Sequence, residues 1–537
     1  MYVGQGYPNP TPSITAMPRN TPKASIVCRT PCGQPGAIVM GADPDPFIRS
    51  QRDANGFFGV PTAAALLILL RYIRTRLART RRPGRSALTS LCRVGPSRWM
   101  PFAALALAVL IPELASAQYT LERVVLVSRH GVRSPTNTSP PLSEVASKTW
   151  PTWLVASPGD LTPRGEGLAT LMGEYYRHHF AAALGLQSVN GCPGQNEVYV
   201  WADVAQRTRH TGDGLLAGAF PGCGLYAQHL PLTNPIDPLF HPVSAGVCKV
   251  DKNVARDEIL LAACGAPSWR ESKCLKYAWD RQPYGGALRK LQRVLDCCSP
   301  KLCQPPGGAC TLEKAQSSIV EKRDSVGLSG PIPIGSTAAE VFLLEYAQDM
   351  SLVAGQRGLS QMDIVSMMWL HSLEFELVER TRHLARRQGS ALLWQVFETL
   401  RQTAERTSRP QDQVPPESKL VIYVGHDTNL ANIGGMLGVD WQLTTYLRNE
   451  TPPAGAMAFE LLRHNKSTKL FVRMSYYSQS PDQMRSATRL IPPNKPPDRA
   501  QIVPRCEHRE DGACPWHEFH DWVQQSVDLD CTLPTRR

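Results

Sequence analysis

Three short, almost wholly apolar runs constrain the fold of this 537-residue chain most strongly. The runs are VVLVS at residues 124–128, VYVWAD at 198–203 and LVIYV at 420–424. A helical pattern follows the second run from about residue 206 and the third from about 428 to 437. Strands that are apolar on both faces, with helices between them, indicate a sheet that helices cover on both sides.

A hairpin and a helical segment add to that sheet. Residues 457–462 and 469–477 alternate in the manner of an antiparallel hairpin, so we predict a mixed sheet. Residues 250–385 are mostly helical in pattern, with one long helix expected at about 362–387. The predicted fold is α/β, a mixed sheet sandwiched by helices, with a smaller α-helical part inserted at about 250–385.

The first 117 residues differ in charge from the rest of the chain. They contain 14 Lys and Arg against 4 Asp and Glu, whereas residues 118–537 contain 44 against 42. The net charge of +12 therefore belongs almost entirely to the N-terminal segment. A nearly neutral folded part argues against nucleic acid as a partner.

Residues 100–117 have the pattern of the apolar core and cleavage site of a secretory signal peptide. The apolar run MPFAALALAVLI at 100–111 follows Arg93 and Arg98 and leads to Ala115-Ser116-Ala117. We predict cleavage after Ala117, because the run is too short for the alternative, an uncleaved membrane anchor. Residues 1–99 are then a disordered or wrongly assigned extension, with the true start at about 85–98. A periplasmic or secreted protein without stable membrane insertion follows.

The cysteine count agrees with export. Residues 118–537 contain 12 of the 15 cysteines, an even number that suits disulfides in an oxidising compartment. The alternative is a zinc site in the segment 506–520, which has two cysteines and three histidines. In an exported chain a Cys506–Cys514 disulfide is favoured, and we expect no metal.

Chemically distinctive residues follow each of the three apolar runs. Ligands of open α/β sheets bind beyond the carboxyl ends of the strands. Arginine suits phosphate because its planar guanidinium donates paired hydrogen bonds to two oxygens. We therefore predict a cationic phosphate-binding cup from Arg129, His130, Arg133, Arg207, His426 and Asp427.

Each of these residues also has a structural interpretation. Asp427 could be the N-cap of a helix that begins at Thr428. Arg207 could pair with a carboxylate, and a lone histidine is usually at the surface or hydrogen-bonded in the core. Their joint occurrence at three strand ends favours a functional site.

The motifs at these strand ends resemble those of the histidine acid phosphatase family. RHGVRSPT at 129–136 is similar to the family's RHGxRxP signature, and GHDTN at 425–429 to its downstream motif. Other segments resemble the periplasmic bacterial branch with the enterobacterial phytases and glucose-1-phosphatases: LTPRG at 161–165, ADVAQRTRHTG at 202–212, DPLFHP at 237–242, VFLL at 341–344 and TPPAG at 451–455. The resemblance covers 118–537 and none of 1–99. It implies a phosphoglycerate mutase-like α/β core with a smaller α-helical domain.

The resemblance also implies roles for individual residues. His130 would be the nucleophile that becomes phosphohistidine, and Asp427 would protonate the leaving alcohol and then assist water. The phosphoryl oxygens would be held, without cofactor or metal, by Arg129, Arg133, Thr136, Arg207 and His426. Glu340 would be a possible substrate contact.

Four disulfides carry over from the family by position. They are Cys192–Cys223, Cys248–Cys531, Cys303–Cys310 and Cys506–Cys514. The remaining cysteines of 118–537, which are Cys264, Cys274, Cys297 and Cys298, could form two further bridges. Because Cys297 and Cys298 are adjacent and not expected to pair together, each would pair with Cys264 or Cys274.

The expected activity is that of an acid phosphomonoesterase of the phytase type, acting on a small phosphate monoester. Asn137 stands where the enterobacterial phytases have Lys, which keeps a broad sugar-phosphate phosphatase such as a glucose-1-phosphatase as the alternative. A non-catalytic phosphate-ester-binding protein would need the cup but not Asp427. A phosphohistidine mutase is disfavoured by the signal peptide and the disulfides.

Overall fold

The computed structural model describes residues 118–137, 141–146, 150–186, 191–266, 270–297, 311–410 and 412–533. The predicted N-terminal extension, signal peptide and cleavage site lie outside these residues, as do Cys298, Cys303 and Cys310. Within the described ranges, no helix is both long and apolar enough to cross a membrane.

The strands form one large mixed sheet and one small hairpin. Their bounds are β1 (Tyr119–Arg129), β2 (Val198–Ala202), β3 (Ser318–Glu321), β4 (Val326–Ser329), β5 (Leu420–Gly425), β6 (Ala456–His464), β7 (Leu470–Ser478), β8 (Asp498–Ile502) and β9 (Cys514–Pro515). The large sheet has the order β2-β5-β1-β6-β7-β8, with β9 paired to β7. β5 is parallel to β1 and β2, whereas β6, β7, β8 and β9 pair antiparallel. The prediction of a mixed sheet is confirmed.

Helices lie on both faces of this sheet. The described helices are α1 (Leu142–Val145), α2 (Pro163–Tyr176), α3 (Gln206–Ala219), α4 (Lys252–Cys264), α5 (Glu271–Asp280), α6 (Tyr284–Val294), α7 (Pro331–Ala347), α8 (Gln361–Met367), α9 (Trp369–Leu377), α10 (Arg382–Ala404), α11 (Asp427–Leu437), α12 (Pro481–Ser486) and α13 (Trp516–Ser526). A π-helical turn, Arg177–Ala181, continues α2, and two 3-10 turns lie at Leu312–Lys314 and Leu529–Cys531.

The apolar runs are buried because alternate residues of each strand enter different cores. Val124 and Leu126 of β1 pack into the core that includes side chains of α2 and α3. Val125 and Val127 pack into the core that includes side chains of α10 and α11. A strand buried on both faces cannot alternate apolar with polar residues, which explains the continuous apolar run. The α/β fold class is confirmed.

The predicted long helix at 362–387 is wrong. The segment instead contains α8, α9 and the beginning of α10, which continues to Ala404. Thr381 is extended between α9 and α10, with φ −63° and ψ 142°, and its hydroxyl donates to the carbonyl of Val378. The Arg380 guanidinium donates to the Val439 carbonyl at 2.8 Å and pairs with Asp440. These contacts are remote in sequence, so helical periodicity could not indicate the break.

The segment predicted as a helical insertion also contains the β3–β4 hairpin, which the sequence did not predict. Helices α4 to α9 share one hydrophobic core. Within it, α7 is buried along almost its whole length. This helical core meets the large sheet near the carboxyl ends of β1, β2 and β5, because Glu340 of α7 contacts Arg129.

Disulfide bonds join Cys192 to Cys223, Cys248 to Cys531 and Cys506 to Cys514, the pairs that the resemblance implies. A further bond joins Cys264 to Cys274. The prediction that these two cysteines pair with Cys297 and Cys298 is wrong. Their positions explain the bond, since the end of α4 and the first turn of α5 bring the two Cα atoms within 5.5 Å.

Candidate active site

Parallel register brings the three chemically distinctive segments to one edge of the sheet. Arg129 is opposite Gly425, and Val424 is opposite Ala202. The residues that follow these positions are therefore neighbours across the sheet edge. This is the arrangement that the apolar runs and their following residues predicted.

His130 is buried at the centre of the site, with 2% of its surface exposed. Its backbone N–H donates to the Gly425 carbonyl at 3.0 Å, and its carbonyl accepts from the Ala454 N–H at 3.0 Å. Nδ1 lies 2.9 Å from the Gly131 carbonyl, an acceptor, so Nδ1 carries the proton. Nε2 then has a free lone pair. Burial and the nearby Arg207, Arg129 and Arg133 lower the pKa of His130 well below its usual value, which keeps the ring neutral.

Gly131 holds the catalytic loop against the first turn of α2. A Cβ at this position would lie 3.0 Å from the Gly165 carbonyl oxygen and 3.1 Å from Cδ1 of Leu161. The Gly131 N–H donates to the Thr211 hydroxyl at 2.8 Å. These close contacts fix the loop that carries His130.

The three arginines present unused donors around His130. Arg129 and Arg207 lie at the end of β1 and in the first turn of α3, and Arg133 bridges to Leu161. The Nε–H groups of Arg129, Arg133 and Arg207 are buried and have no acceptor among the described residues. The alternative in which Arg207 pairs with a carboxylate has no ion pair to support it within this same set of residues. Arg207 Nη2 lies 3.4 Å from Nδ1 of His426. Buried donors without acceptors favour an oxyanion ligand.

Asp427 is the first residue of α11 and not its N-cap, which is His426. The alternative in which Asp427 caps a helix from Thr428 is therefore wrong. One carboxylate oxygen, Oδ2, lies 2.9 Å from Nη2 of Arg129, and the other accepts from the Thr428 N–H at 2.8 Å. Burial opposes ionisation, but Arg129 and Arg133 hold the pKa of Asp427 below its usual range.

Arg129 belongs to a buried group of interacting charged side chains, which we call the Glu340 network: Arg129, Glu340, His371 and Glu450. Arg129 Nη2 pairs with Glu340 Oε1, and Nη1 donates to the Thr451 carbonyl at 2.6 Å. His371 lies between Glu340, at 4.0 Å, and Glu450, at 3.2 Å. Burial lowers the pKa of His371, but the two carboxylates outweigh burial and raise it to about 9. Glu340, predicted as a substrate contact, lies against Arg129.

His426 belongs to a second group of interacting side chains, which we call the Asp203 network: Asp203, His241 and His426. His426 Nε2 lies 2.8 Å from Asp203 Oδ2, and His241 Nε2 lies 3.4 Å from the same oxygen. Burial lowers the pKa of His426 to about 4, with Arg207 acting in the same direction against Asp203. His426 and His130 are close, with ring centroids 5.6 Å apart.

Thr136 lies at the rim of the site and is exposed, as is Asn137. A Cβ at Gly159, whose φ is +86°, would lie 3.0 Å from Cγ2 of Thr136 and 3.7 Å from Nη1 of Arg207. Thr136 and Arg207 therefore face the same small space beside Gly159. A cavity of about 520 Å³ adjoins this rim and is lined by Asp203, Arg207, His241, Asn234, Ser244 and neighbouring residues.

The structure brings all the predicted phosphate-site residues to one sheet edge, and it adds four that sequence reasoning missed. Asp203 ends the second apolar run, a signal that could have identified it. His241 lies in the DPLFHP segment, whose histidine was overlooked. His371 and Glu450 follow no strand and have no local signal. Asp203, His241 and His426 also form the one group of metal-ligand residues found among the described residues.

Comparison with known proteins matches most of the chain. The sequence profile of the histidine phosphatase superfamily (branch 2) matches residues 120–477. Phytase AppA of Escherichia coli (strain K12) is 35% identical over 447 residues, which cover 81% of this chain and 99% of that protein. A glucose-1-phosphatase of Providencia rettgeri is 25% identical over 436 residues, covering 78% and 96%.

Solved structures of a phytase also match most of this chain. Hafnia alvei phytase in complex with tartrate has a TM-score of 0.70 and 37% identity, covering 78% of this chain and 100% of that one. The same enzyme in complex with myo-inositol hexakis sulphate has a TM-score of 0.69 and 36% identity, with the same coverage.

Proposed function

The chain belongs to the histidine phosphatase superfamily (branch 2), and on that basis we propose which residues carry its reaction and which esters it prefers. It is a histidine acid phosphatase, an enzyme that hydrolyses phosphate monoesters. We propose that it is of the phytase type and that inositol phosphates are its preferred substrates. Identity of 35% to the Escherichia coli phytase and 37% to the Hafnia alvei phytase, against 25% to a glucose-1-phosphatase, supports this preference.

The observation that carries the mechanism is the free Nε2 of His130 among three arginines with unused donors. Nε2 attacks phosphorus, the P–O bond to the alcohol breaks, and a phosphohistidine forms. Arg129, Arg133, Arg207 and the buried His426 hold the non-bridging oxygens, with Thr136 at the rim. Their charge stabilises the transition state in the absence of a metal ion.

Asp427 supplies the proton that the leaving oxygen needs. In the empty site the arginines keep this carboxyl ionised. A phosphate ester brings negative charge that offsets those arginines and competes for Arg129, so its binding raises the pKa of Asp427. Asp427 then donates a proton to the departing alcohol and afterwards takes one from the water that attacks phosphohistidine.

A specific observation favours the second candidate, a broad sugar-phosphate phosphatase. Asn137 at the rim is uncharged, and among the described residues Arg207 is the one lysine or arginine that lines the adjoining cavity. A substrate with many phosphates gains most from further cations. Comparing kcat/KM for phytate and glucose 1-phosphate separates the two: a preference for glucose 1-phosphate would reject the phytase assignment but not the reaction.

We further propose export to the periplasm or beyond, supported by the signal-like segment before residue 118 and by four disulfide bonds between described residues. N-terminal sequencing of the mature protein tests this. A mature start at any residue other than Gln118 would reject the assigned cleavage site.

His130→Ala tests the nucleophile. We expect kcat to fall by more than ~100-fold, since the covalent route is lost. Rapid quenching with a labelled substrate should trap an acid-labile, alkali-stable phosphoryl group in the native protein and none in the variant. His508→Ala, at a largely exposed histidine, is the matched control and should retain label and activity. A trapped phosphoryl group in His130→Ala would identify another nucleophile.

Asp427→Asn tests the general acid. The amide keeps the shape of the side chain but cannot donate the carboxylic proton. For inositol and alkyl phosphates we expect a loss of ~10²–10⁴, the usual contribution of a positioned acid. For p-nitrophenyl phosphate, whose phenolate leaves unaided, the loss in the pre-steady-state burst should be much smaller. Equal losses in the burst would exclude Asp427 as the acid.

A further inference from the structure

The Asp203 network combines three side chains that metal ions use as ligands. One ligand atom from each of Asp203, His241 and His426 lies within 4.8 Å of the others. Asp203 Oδ2 is 2.8 Å from His426 Nε2 and 3.4 Å from His241 Nε2. The mechanism above assigns no role to His241. His241 is therefore a side chain of the network that phosphate binding does not require.

These separations suit a tetrahedral ion. Zn²⁺ binds imidazole nitrogen and carboxylate oxygen at about 2.0–2.2 Å, which places ligand atoms about 3.3 Å apart. The Asp203–His241 pair already has that spacing, and the Asp203–His426 pair must open by about 0.5 Å. Two imidazoles and one carboxylate with one open position form a donor set typical of zinc and similar transition ions.

A second observation points to a ligand at this place. Oδ1 of Asp203 is buried and accepts no hydrogen bond from any described residue, and the Asp203 side chain is 4% exposed. A buried carboxylate oxygen without a donor is costly, and a cation beside it removes that cost. His241, in contrast, is 37% exposed and lines the 520 Å³ cavity. That cavity offers an ion an entry path and offers water the fourth coordination position.

Arg207 opposes cation binding, because its Nη2 lies 3.4 Å from Nδ1 of His426. The ion must therefore bind less tightly than at an isolated site with the same three ligands. Phosphate in the cup would offset that charge and strengthen binding.

We propose that Asp203, His241 and His426 bind one divalent transition-metal ion, represented by Zn²⁺, and that the bound ion inhibits the enzyme. The ion replaces the proton between His426 Nε2 and Asp203 Oδ2, the proton leaves to solvent, and the ring moves away from Asp203 to make room for the ion. His426 then no longer meets the phosphoryl oxygens, and the open coordination position can take a phosphate oxygen away from the line to His130. The inhibition rests on the function proposed above, whereas the binding does not.

Calorimetric titration of the chelator-treated protein with Zn²⁺ tests the binding. We expect one ion per chain in the native protein and at least tenfold weaker binding in His241→Asn. His517→Asn is the matched control, because this histidine is 78% exposed in the histidine-rich segment 506–520 and lies outside the network. It should bind as the native protein does. Equal affinity in the native protein and His241→Asn, or no saturable binding, overturns the site.

Phosphatase assays on the same proteins test the inhibition. Zn²⁺ should lower the activity of the native protein and of His517→Asn, with recovery on adding EDTA. Measured against its own metal-free activity, His241→Asn should need at least tenfold more Zn²⁺ for the same fractional inhibition. Stoichiometric binding without inhibition overturns the inhibitory role and leaves the site intact. A protein without phosphatase activity refutes the proposed function, while the calorimetry still decides the site.

Discussion

Two networks of carboxylates and histidines flank His130. They differ more in their composition than in how deeply their side chains are buried. In the Glu340 network, His371 lies between two carboxylates and its pKa rises to about 9. In the Asp203 network, one carboxylate lies between two histidines, and the pKa of His426 falls to about 4. Both histidines are buried. The number of carboxylates around each ring, and the arginine beside His426, therefore set its charge.

The two networks also differ in whether they can respond to a ligand. The Glu340 network is buried throughout, and its central carboxylate pairs with Arg129. The Asp203 network reaches the cavity through His241 and keeps His426 neutral. A neutral ring can gain a proton, a phosphate contact or a metal ion, so this network can respond to a ligand while the other cannot.

Glu340→Gln should produce the largest effect, because it breaks the Glu340 network at its centre. The amide preserves volume but leaves the buried Arg129 without its main charge partner. Removing one member of a buried ion pair costs about 3–5 kcal/mol. Urea unfolding measures this loss. A loss below about 1 kcal/mol would show that Asp427 and the Thr451 carbonyl alone hold Arg129.

His371 should make stability depend on pH in the alkaline range. Its pKa is raised from 6.5 to about 9, so the folded state binds the proton more tightly than the unfolded state. The stabilisation is complete below pH 6.5 and is lost as the pH rises through about 9. It amounts to about 3 kcal/mol. Urea unfolding at several pH values should show a shallower decline in His371→Gln than in the native protein. Parallel declines would contradict a protonated His371.

Asp203→Asn should affect catalysis more than stability. The amide can still accept a hydrogen bond from His426 Nε2, but it removes the charge that orients the ring. We expect kcat/KM to fall about tenfold, the loss of one charge-assisted hydrogen bond. Inhibition by orthophosphate should weaken in parallel, since His426 is proposed to contact bound phosphate. An unchanged inhibition constant for orthophosphate would reject that role.

His241→Asn in metal-free protein should have the smallest effect. The ring is partly exposed, and its contact with Asp203 is long at 3.4 Å. We expect activity within about threefold of native and a stability change within ~0.5 kcal/mol. Steady-state kinetics and urea unfolding measure both. A tenfold loss of kcat without metal would mean that His241 helps to orient Asp203, and the two networks would then be more alike than their exposure indicates.

The sequence predicted the parts of the site that follow strands. Residues 129–133, 207 and 426–427 lie beside apolar runs, and parallel register brings such positions together whatever the loops between them do. Asp203 shares that signal. His371 and Glu450 reach the site through α9 and a loop, and only tertiary packing places them beside Glu340. The break at 378–381 likewise lies where Arg380 meets Val439 and Asp440.

The Cys248–Cys531 bond closes a covalent ring over a sequence separation of 283 residues. That ring contains α4 to α13 and the third strand end with His426 and Asp427. A protease that cuts once anywhere inside it releases no fragment, since the two pieces stay joined through sulfur. Intact and nicked molecules would therefore migrate as one chain on a gel until a reductant is added.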